Sequence, residues 1–269
     1  MKKERADKRS KLTLLSVLLC CTAFANNLSG NASEPAKKTI DLTHTLGAGL
    51  PDFHSGNAFE YKALYTIEKD GYADGQFSTP EHYGTHMDAQ SHFYKGGQSV
   101  DQIAPDKLIL PCVVIDVRKE VEANSDYCLT VEKIKAFERK TKIAPNTAVL
   151  LLTGWSKKFS NPVAYRNVNQ QSNLPGMHFP AFSGAAATYL VNEKKVAALG
   201  LDTLSADYGQ SKDYPVHKIS LAKKVFLIEN LNNLELLPDH GATIFIGVLP
   251  IKDGTGSPAR VLAQLPEEQ

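Results

Sequence analysis

Cysteine is scarce in this chain of 269 residues: there are four, and two of them, Cys20 and Cys21, fall in an apolar N-terminal stretch. That excludes a disulfide framework, and the spacing of Cys112 and Cys128 does not make a zinc site by itself. Those two can pair only if folding brings their Cα atoms within bonding range. Neither sign of charge is in excess, with 30 Lys/Arg against 29 Asp/Glu and a formal net charge of +1, so nothing electrostatic argues for a nucleic-acid partner. Internal repeats and low-complexity tracts are also lacking. What is left is ordinary globular composition, 42% apolar and 22% charged, in a chain long enough to bury a substantial core without disulfides.

The first 25 residues read as a removable export signal. Met1 to Lys11 carries six Lys/Arg against two acids, and Leu12 to Ala25 is apolar apart from small hydroxylic residues and cysteines. Ala23-Phe24-Ala25 supplies the small-x-small pattern that signal peptidase needs. The apolar stretch is too short for a membrane span, and Leu18-Leu19 before the cysteines is too bulky for a good lipoprotein signal. The expectation is a periplasmic or secreted bacterial protein with no membrane attachment after cleavage. Residues 26–38 are small and polar and read as a flexible leader, and 39–269 as a single domain.

Short β-branched runs recur at Leu108–Val117, Thr147–Leu152, Val196–Leu201, Val225–Ile228 and Thr243–Val248, bounded by Gly, Pro, Asn or Asp. They predict buried strands. Between them, Thr130–Thr141 predicts a helix capped by Thr130, with Val131, Ile134 and Phe137 inward and Glu132 and Glu138 outward. Ser183–Glu193 predicts an Ala-rich helix capped by Ser183. Alternating strands and helices predict an α/β domain, while Tyr61 to Thr79, rich in Tyr, Gly and Thr, predicts antiparallel hairpins.

The densest chemistry lies in Glu81-His82-Tyr83-Gly84-Thr85-His86-Met87-Asp88-Ala89-Gln90-Ser91-His92-Phe93. Imidazole and carboxylate are the usual ligands of Zn²⁺, Mn²⁺ and Fe²⁺. Residues 82, 86, 88 and 92 share one parity, so a strand would aim them to one side. But a straight strand rises ~3.3 Å per residue, separating 82 from 88 by about 20 Å, too far for one ion with ~2 Å bonds. A straight helix places 88 away from the face shared by 82 and 86. The segment must bend, and Gly84 is best able to do so. Surface histidines on a plain hairpin are the alternative, but Asp88 between Met87 and Ala89 would then have no task.

A second candidate pair, His217 and Glu229, lies far down the chain. Glu229 ends the apolar run Val225-Phe226-Leu227-Ile228, where a carboxylate must be paired or ligate a metal to offset its desolvation. On spacing alone, a salt bridge to Lys218, Lys223 or Lys224 competes with metal ligation. Ser205 and Ser257 sit in no G-x-S-x-G elbow, and no serine triad emerges. Trp155 reads as core, His54 and His178 as residues that can line a pocket, and Gly254-Thr255-Gly256 as a turn, lacking the lysine and helix of a phosphate loop.

The run from His82 to Phe93 resembles the H-x-G-T-H-x-D-x-P-x-H motif of the metal-dependent cyclase family, which includes bacterial kynurenine formamidases, isatin hydrolases and some polyketide-ring cyclases. The likeness continues through Leu152-Thr153-Gly154-Trp155, Phe179-Pro180, Gly200-Leu201-Asp202-Thr203 with Ser205, His217, Ile228-Glu229-Asn230-Leu231 and Gly256-Ser257-Pro258-Ala259-Arg260. It spans roughly Thr39 to Ala263. One departure stands inside it: Gln90 takes the place of the proline, where its amide can hydrogen-bond a ligand or substrate.

The resemblance implies a swivelling β/β/α fold of the α/β class with a β-barrel-like core, forming homodimers or homotetramers. It implies His82, His86 and Asp88 on one divalent ion, Zn or Mn. Asp88, His217 and Glu229 would hold a second ion or complete a single site, and His92 would be the general base. The implied reaction is hydrolysis of a small-molecule amide, an aryl formamide or a small cyclic amide. Such an ion lowers the pKa of its water from ~16 toward ~7 and polarises a carbonyl, and a neutral imidazole nearby can move the remaining proton. A metal-dependent cyclase or lactone hydrolase remains open as an alternative, as does a periplasmic binding protein without turnover, although a pure binder has no need of His92.

Overall fold

The computed structural model describes residues 38–53, 59–168 and 176–267. The expected export signal and all of the leader but Lys38 lie outside these residues, as does His54. Lys37–Gln269 forms one compact unit. No helix among the described residues is long and apolar enough to cross a membrane.

The described residues form twelve strands: β1 (Thr39–Asp41), β2 (Glu60–Tyr65), β3 (Asp74–Ser78), β4 (His86–Asp88), β5 (Ile109–Asp116), β6 (Cys128–Leu129), β7 (Ala148–Leu152), β8 (Ala181–Phe182), β9 (Ala198–Leu201), β10 (Phe226–Glu229), β11 (His240–Val248) and β12 (Gly256–Gln264). The five β-branched runs fall on β5, β7, β9, β10 and β11. In the main sheet β5, β7, β9 and β10 are parallel neighbours, and β11, β12 and β4 are antiparallel to theirs. Pairing of β4 with β12 as well as β10 closes seven strands into a barrel, and β1 lies beside the C-terminal half of β12.

Alternation along the strands explains the layers. In β7, Ala148, Leu150 and Leu152 join one buried cluster, which also takes Met87, Leu110, Val114, Ile228, Ile244 and Val261 from other barrel strands. Because all seven strands contribute to it, this cluster fills the barrel. The intervening Val149 and Leu151 join Leu199, Leu227, Ile134, Ala187, Leu190, Val216 and Leu221 in a second cluster, between the parallel strands and the helices. Both faces of these strands are thus apolar, as parallel strands under helices require. Each fully buried Leu or Ile contributes about 1.5–3 kcal/mol.

The predicted caps are present: Thr130 accepts from Lys133 N and Ser183 from Ala186 N. The second helix is α-helical over Gly184–Thr188 and widens into a π turn at Tyr189–Glu193. Glu138, expected outward, is buried instead. It accepts from Tyr189 Oη (3.0 Å) and pairs with Lys194 Nζ (2.6 Å), partners on another helix that helical periodicity could not reveal. Residues 60–78 form the expected hairpin, β2 against β3. Cys112 and Cys128 are both free thiols, and Trp155 is core, its indole N–H donating to Tyr165 O.

Candidate active site

Parity on β4 sets the site. Met87 points into the barrel, so His86 and Asp88 point out of it, and on the neighbouring strand Ile228 points in and Glu229 out. Antiparallel pairing puts Glu229 directly opposite His86. Residues 81–85 bend into β4 through Gly84, whose φ of +65° is the left-handed value glycine adopts freely. That bend folds His82 back beside Asp88, Nδ1 to Oδ1 at 2.6 Å. Beyond β4, a 3₁₀ turn over Gln90–His92 stacks the His92 ring on that of His82, centroids 3.8 Å apart. The structure therefore brings together all six residues singled out in the sequence.

His217 arrives on the first turn of the helix Pro215–Ala222, placed by a residue the sequence did not flag. Asp207 accepts from Val216 N (2.8 Å), His217 N (3.1 Å) and His217 Nδ1 (2.7 Å). One carboxylate thus caps the helix N-terminus and fixes a tautomer that leaves Nε2 free. His86 is held likewise, its Nδ1 donating to Gly84 O at 2.9 Å. Outer partners of this kind are usual for metal-binding imidazoles. Among the described residues no lysine pairs with Glu229. Its Oε1 accepts from Ala206 N at 2.7 Å and lies 3.4 Å from His217 Nε2, while Oε2 lies 3.4 Å from His86 Nε2.

These atoms converge as metal donors would. Asp88 Oδ1 is 3.4 Å from His86 Nε2, and Oδ2 is 3.3 Å from His217 Nε2. Neighbouring donors on a tetrahedral ion with bonds of ~2.1 Å stand about 3.4 Å apart. Asp88 Oδ2 is buried without a hydrogen bond, a costly state that a cation would relieve. His86, Asp88 and Glu229 are close enough to share one ion, and His82, Asp88 and His92 form a second such group. The residues present fit a divalent metal.

Electrostatics agree. Burial alone would push the Asp88 carboxyl up, but His82, His217 and His86 hold it well below the usual range. Burial disfavours a charged His86, yet Asp88 and Glu229 raise it to about 9, and His217 is raised well above its ordinary value against the same penalty. Two buried carboxylates thus draw in positive charge, supplied by protons when no metal is bound. His92 goes the other way: burial, with His82 and His217 beside it, lowers it to about 4 despite the nearby Asp88 carboxylate. Its imidazole is neutral at pH 7.

A cavity of about 590 Å³ opens onto the cluster. Its walls include Phe53, Tyr83, Phe93, Leu204 and Tyr214, and no lysine or arginine occurs among its described lining residues. Sequence reasoning missed these walls, because they come from separate loops. Two expectations fail here. His178 lies outside the lining, tied to Asp126 at 2.7 Å, and Gln90 faces its own turn, its Oε1 accepting from Gln98 N at 3.0 Å rather than meeting a ligand. Gly254-Thr255-Gly256 is more than a turn: Thr255 Oγ1 is 2.9 Å from His82 Nε2.

The family model for Cyclase, described as putative cyclase, matches residues 40–208. The chain belongs to the cyclase family. It is 31% identical to the isatin hydrolase of Roseibium aggregatum over 248 residues, which are 86% of this chain and 92% of that protein. Kynurenine formamidase of Bacillus anthracis is 24% identical, over 84% of this chain and 96% of that protein. A crystal structure of an isatin hydrolase bound to the product analogue thioisatinate superimposes with a TM-score of 0.79 at 29% identity, covering 97% of this chain and all of that one. The barrel, with its helices on one side, is the fold of this cyclase family.

Proposed function

We propose that this cyclase-family chain is a metal-dependent hydrolase that cleaves the carbon–nitrogen bond of a small amide, an aromatic cyclic amide of the isatin type. The observation that carries this reading is the buried His/Asp/Glu cluster at the floor of an apolar cavity, with the neutral imidazole of His92 beside it. His82, His86, Asp88, His217 and Glu229 are its metal ligands, for one ion or two, and His/Asp/Glu donors suit Zn²⁺ or Mn²⁺. A bound divalent cation supplies an acidified water and a Lewis acid for the carbonyl oxygen.

The chain's own residues do the rest. His92 takes a proton from the attacking water as its oxygen joins the carbonyl carbon, and passes it to the amide nitrogen as the carbon–nitrogen bond breaks. The ring opens to an acid and an arylamine, consuming one water. Phe53, Phe93 and Tyr214 enclose a flat aromatic ring and exclude bulk water. The relatives suggest two substrates, isatin and an aryl formamide. The described wall residues include no lysine or arginine and so offer no counter-ion to an amino-acid carboxylate, which favours the neutral ring.

The assembly is a homodimer or homotetramer, built on the exposed hairpin, where Tyr61 and Phe77 are cross-strand partners on one face. The basic, then apolar, N-terminus supports export to the periplasm. Purified protein assayed with isatin and with aryl formamides, alongside metal analysis, tests the function: ring opening of isatin supports it. Formate release alone moves the substrate to the formamides, and no turnover of either by metal-loaded protein overturns the reading.

A further inference from the structure

His82 is the most exposed of the proposed ligands, its side chain a quarter accessible, yet its ring is held on both edges. Nδ1 meets Asp88 Oδ1 at 2.6 Å and Nε2 meets Thr255 Oγ1 at 2.9 Å. Thr255 is held in turn: its Oγ1 donates to Glu81 Oε2, which also accepts from Thr255 N at 2.9 Å. A carboxylate only accepts, so the single hydroxyl proton of Thr255 is committed to Glu81. The lone pair left on Oγ1 can then only accept, and His82 Nε2 must carry the hydrogen. The neutral ring therefore presents a bare Nδ1 to Asp88. Two acceptors at 2.6 Å repel, and a metal ion beside them relieves that repulsion.

The seat of this clamp is rigid. Thr255 O accepts from Ala89 N at 2.8 Å, directly after Asp88, and Gly254 O accepts from Val100 N at 2.9 Å and from Ser91 Oγ at 3.2 Å. Gly256 closes it: a Cβ there would stand 2.6 Å from His82 Cε1 and 2.7 Å from Met87 O, so only glycine lets β12 approach this closely. His86 and His217 are fixed the opposite way, with Nδ1 bonded outward and Nε2 turned inward.

We propose that Thr255 and Glu81 are a positioning pair that selects the Nε2–H form of His82 and turns its Nδ1 to the metal. The proposal rests on the reading that His82 is a ligand. Histidine-detected ¹H–¹⁵N NMR on the full chain loaded with Zn²⁺ should show His82 protonated at Nε2, the reverse of His86 and His217. Thr255→Val, which keeps the shape and removes the hydroxyl, should weaken Zn²⁺ binding by ~10–100-fold in competition with a chelator, and Thr255→Ser should restore it. Glu81→Ala should mix the His82 tautomers. His82 found protonated at Nδ1 in the unaltered protein overturns the proposal, and that spectrum needs no variant to fold. Unchanged Zn²⁺ affinity in Thr255→Val overturns it as well. His82→Ala separates the two ideas: if it binds Zn²⁺ as tightly as the unaltered chain, the ligand reading itself has failed, whereas weak binding there with tight binding in Thr255→Val rejects the positioning pair alone.

Discussion

His86 and Glu229 are register partners on β4 and β10, and their side chains meet at 3.4 Å, Nε2 to Oε2, on the outer face of the barrel. Two groups remote in sequence are thus held by strand pairing rather than by a loop. Metal content should depend on both. His86→Ala and Glu229→Ala are each expected to lose most bound metal by elemental analysis while keeping far-UV circular dichroism. Full occupancy in a His82→Ala/His86→Ala double variant would reject the ligand assignment.

His92 should separate from the ligands. Its ring stacks on His82 and is neutral, with its pKa lowered to about 4. His92→Ala is expected to retain its metal while kcat falls by roughly 10²–10⁴-fold, the usual range for general acid–base catalysis. Metal and rate have to be measured on one preparation. Loss of metal would make His92 a ligand, and an unchanged rate would put the base elsewhere, with His217 next.

Acidity should govern the metal-free protein. Burial opposes a charged His86, but Asp88 and Glu229 raise its folded pKa to about 9, above the ordinary ~6.5. A raised pKa stabilises the fold fully below the unfolded value, and that contribution is lost as pH climbs through the folded one. Chelator-treated protein should therefore lose Tm between pH ~6.5 and about 9, with a shallower loss in His86→Gln. Zn²⁺ affinity should rise over the same interval, because binding displaces the proton. A proton-release titration showing no release at pH ~7 would contradict this.

The hairpin should hold the assembly together. An isolated two-stranded hairpin is marginal in water, yet Tyr61 and Phe77 are 66% and 51% exposed on facing strands. Light scattering should find a dimer or tetramer, and Tyr61→Ser/Phe77→Ser should reduce it to monomer with its barrel intact. A monomeric parent chain would end the idea.

Export should leave a mark on the chain. Intact-mass measurement on protein from the native host is expected to place the mature N-terminus near Asn26, and a retained Met1 in cytosolic protein would refute the signal.

The local features were legible in the sequence because local chemistry dictates them. Five β-branched runs became strands, Thr130 and Ser183 became caps, and the parity and glycine of the 82–92 segment required the bend found at Gly84. What spacing could not decide was long-range pairing. Glu229 had three lysines within eleven residues as partners, and only the β10–β4 register turned it to His86 instead. Asp207, Thr255 and the aromatic walls carry no signal of their own, since an aspartate, a threonine or a phenylalanine in a loop gains its role from what folds against it. Glu138 was misplaced for the same reason: helical period assigns a face, but only the packed neighbour decides whether that face meets water or Lys194. The sequence by itself determined the donor types, the bend and the strand-forming runs. The tertiary structure decided which donors converge, because closure of the barrel through β4 and β12 is a contact between segments whose sequences hold no mark of one another.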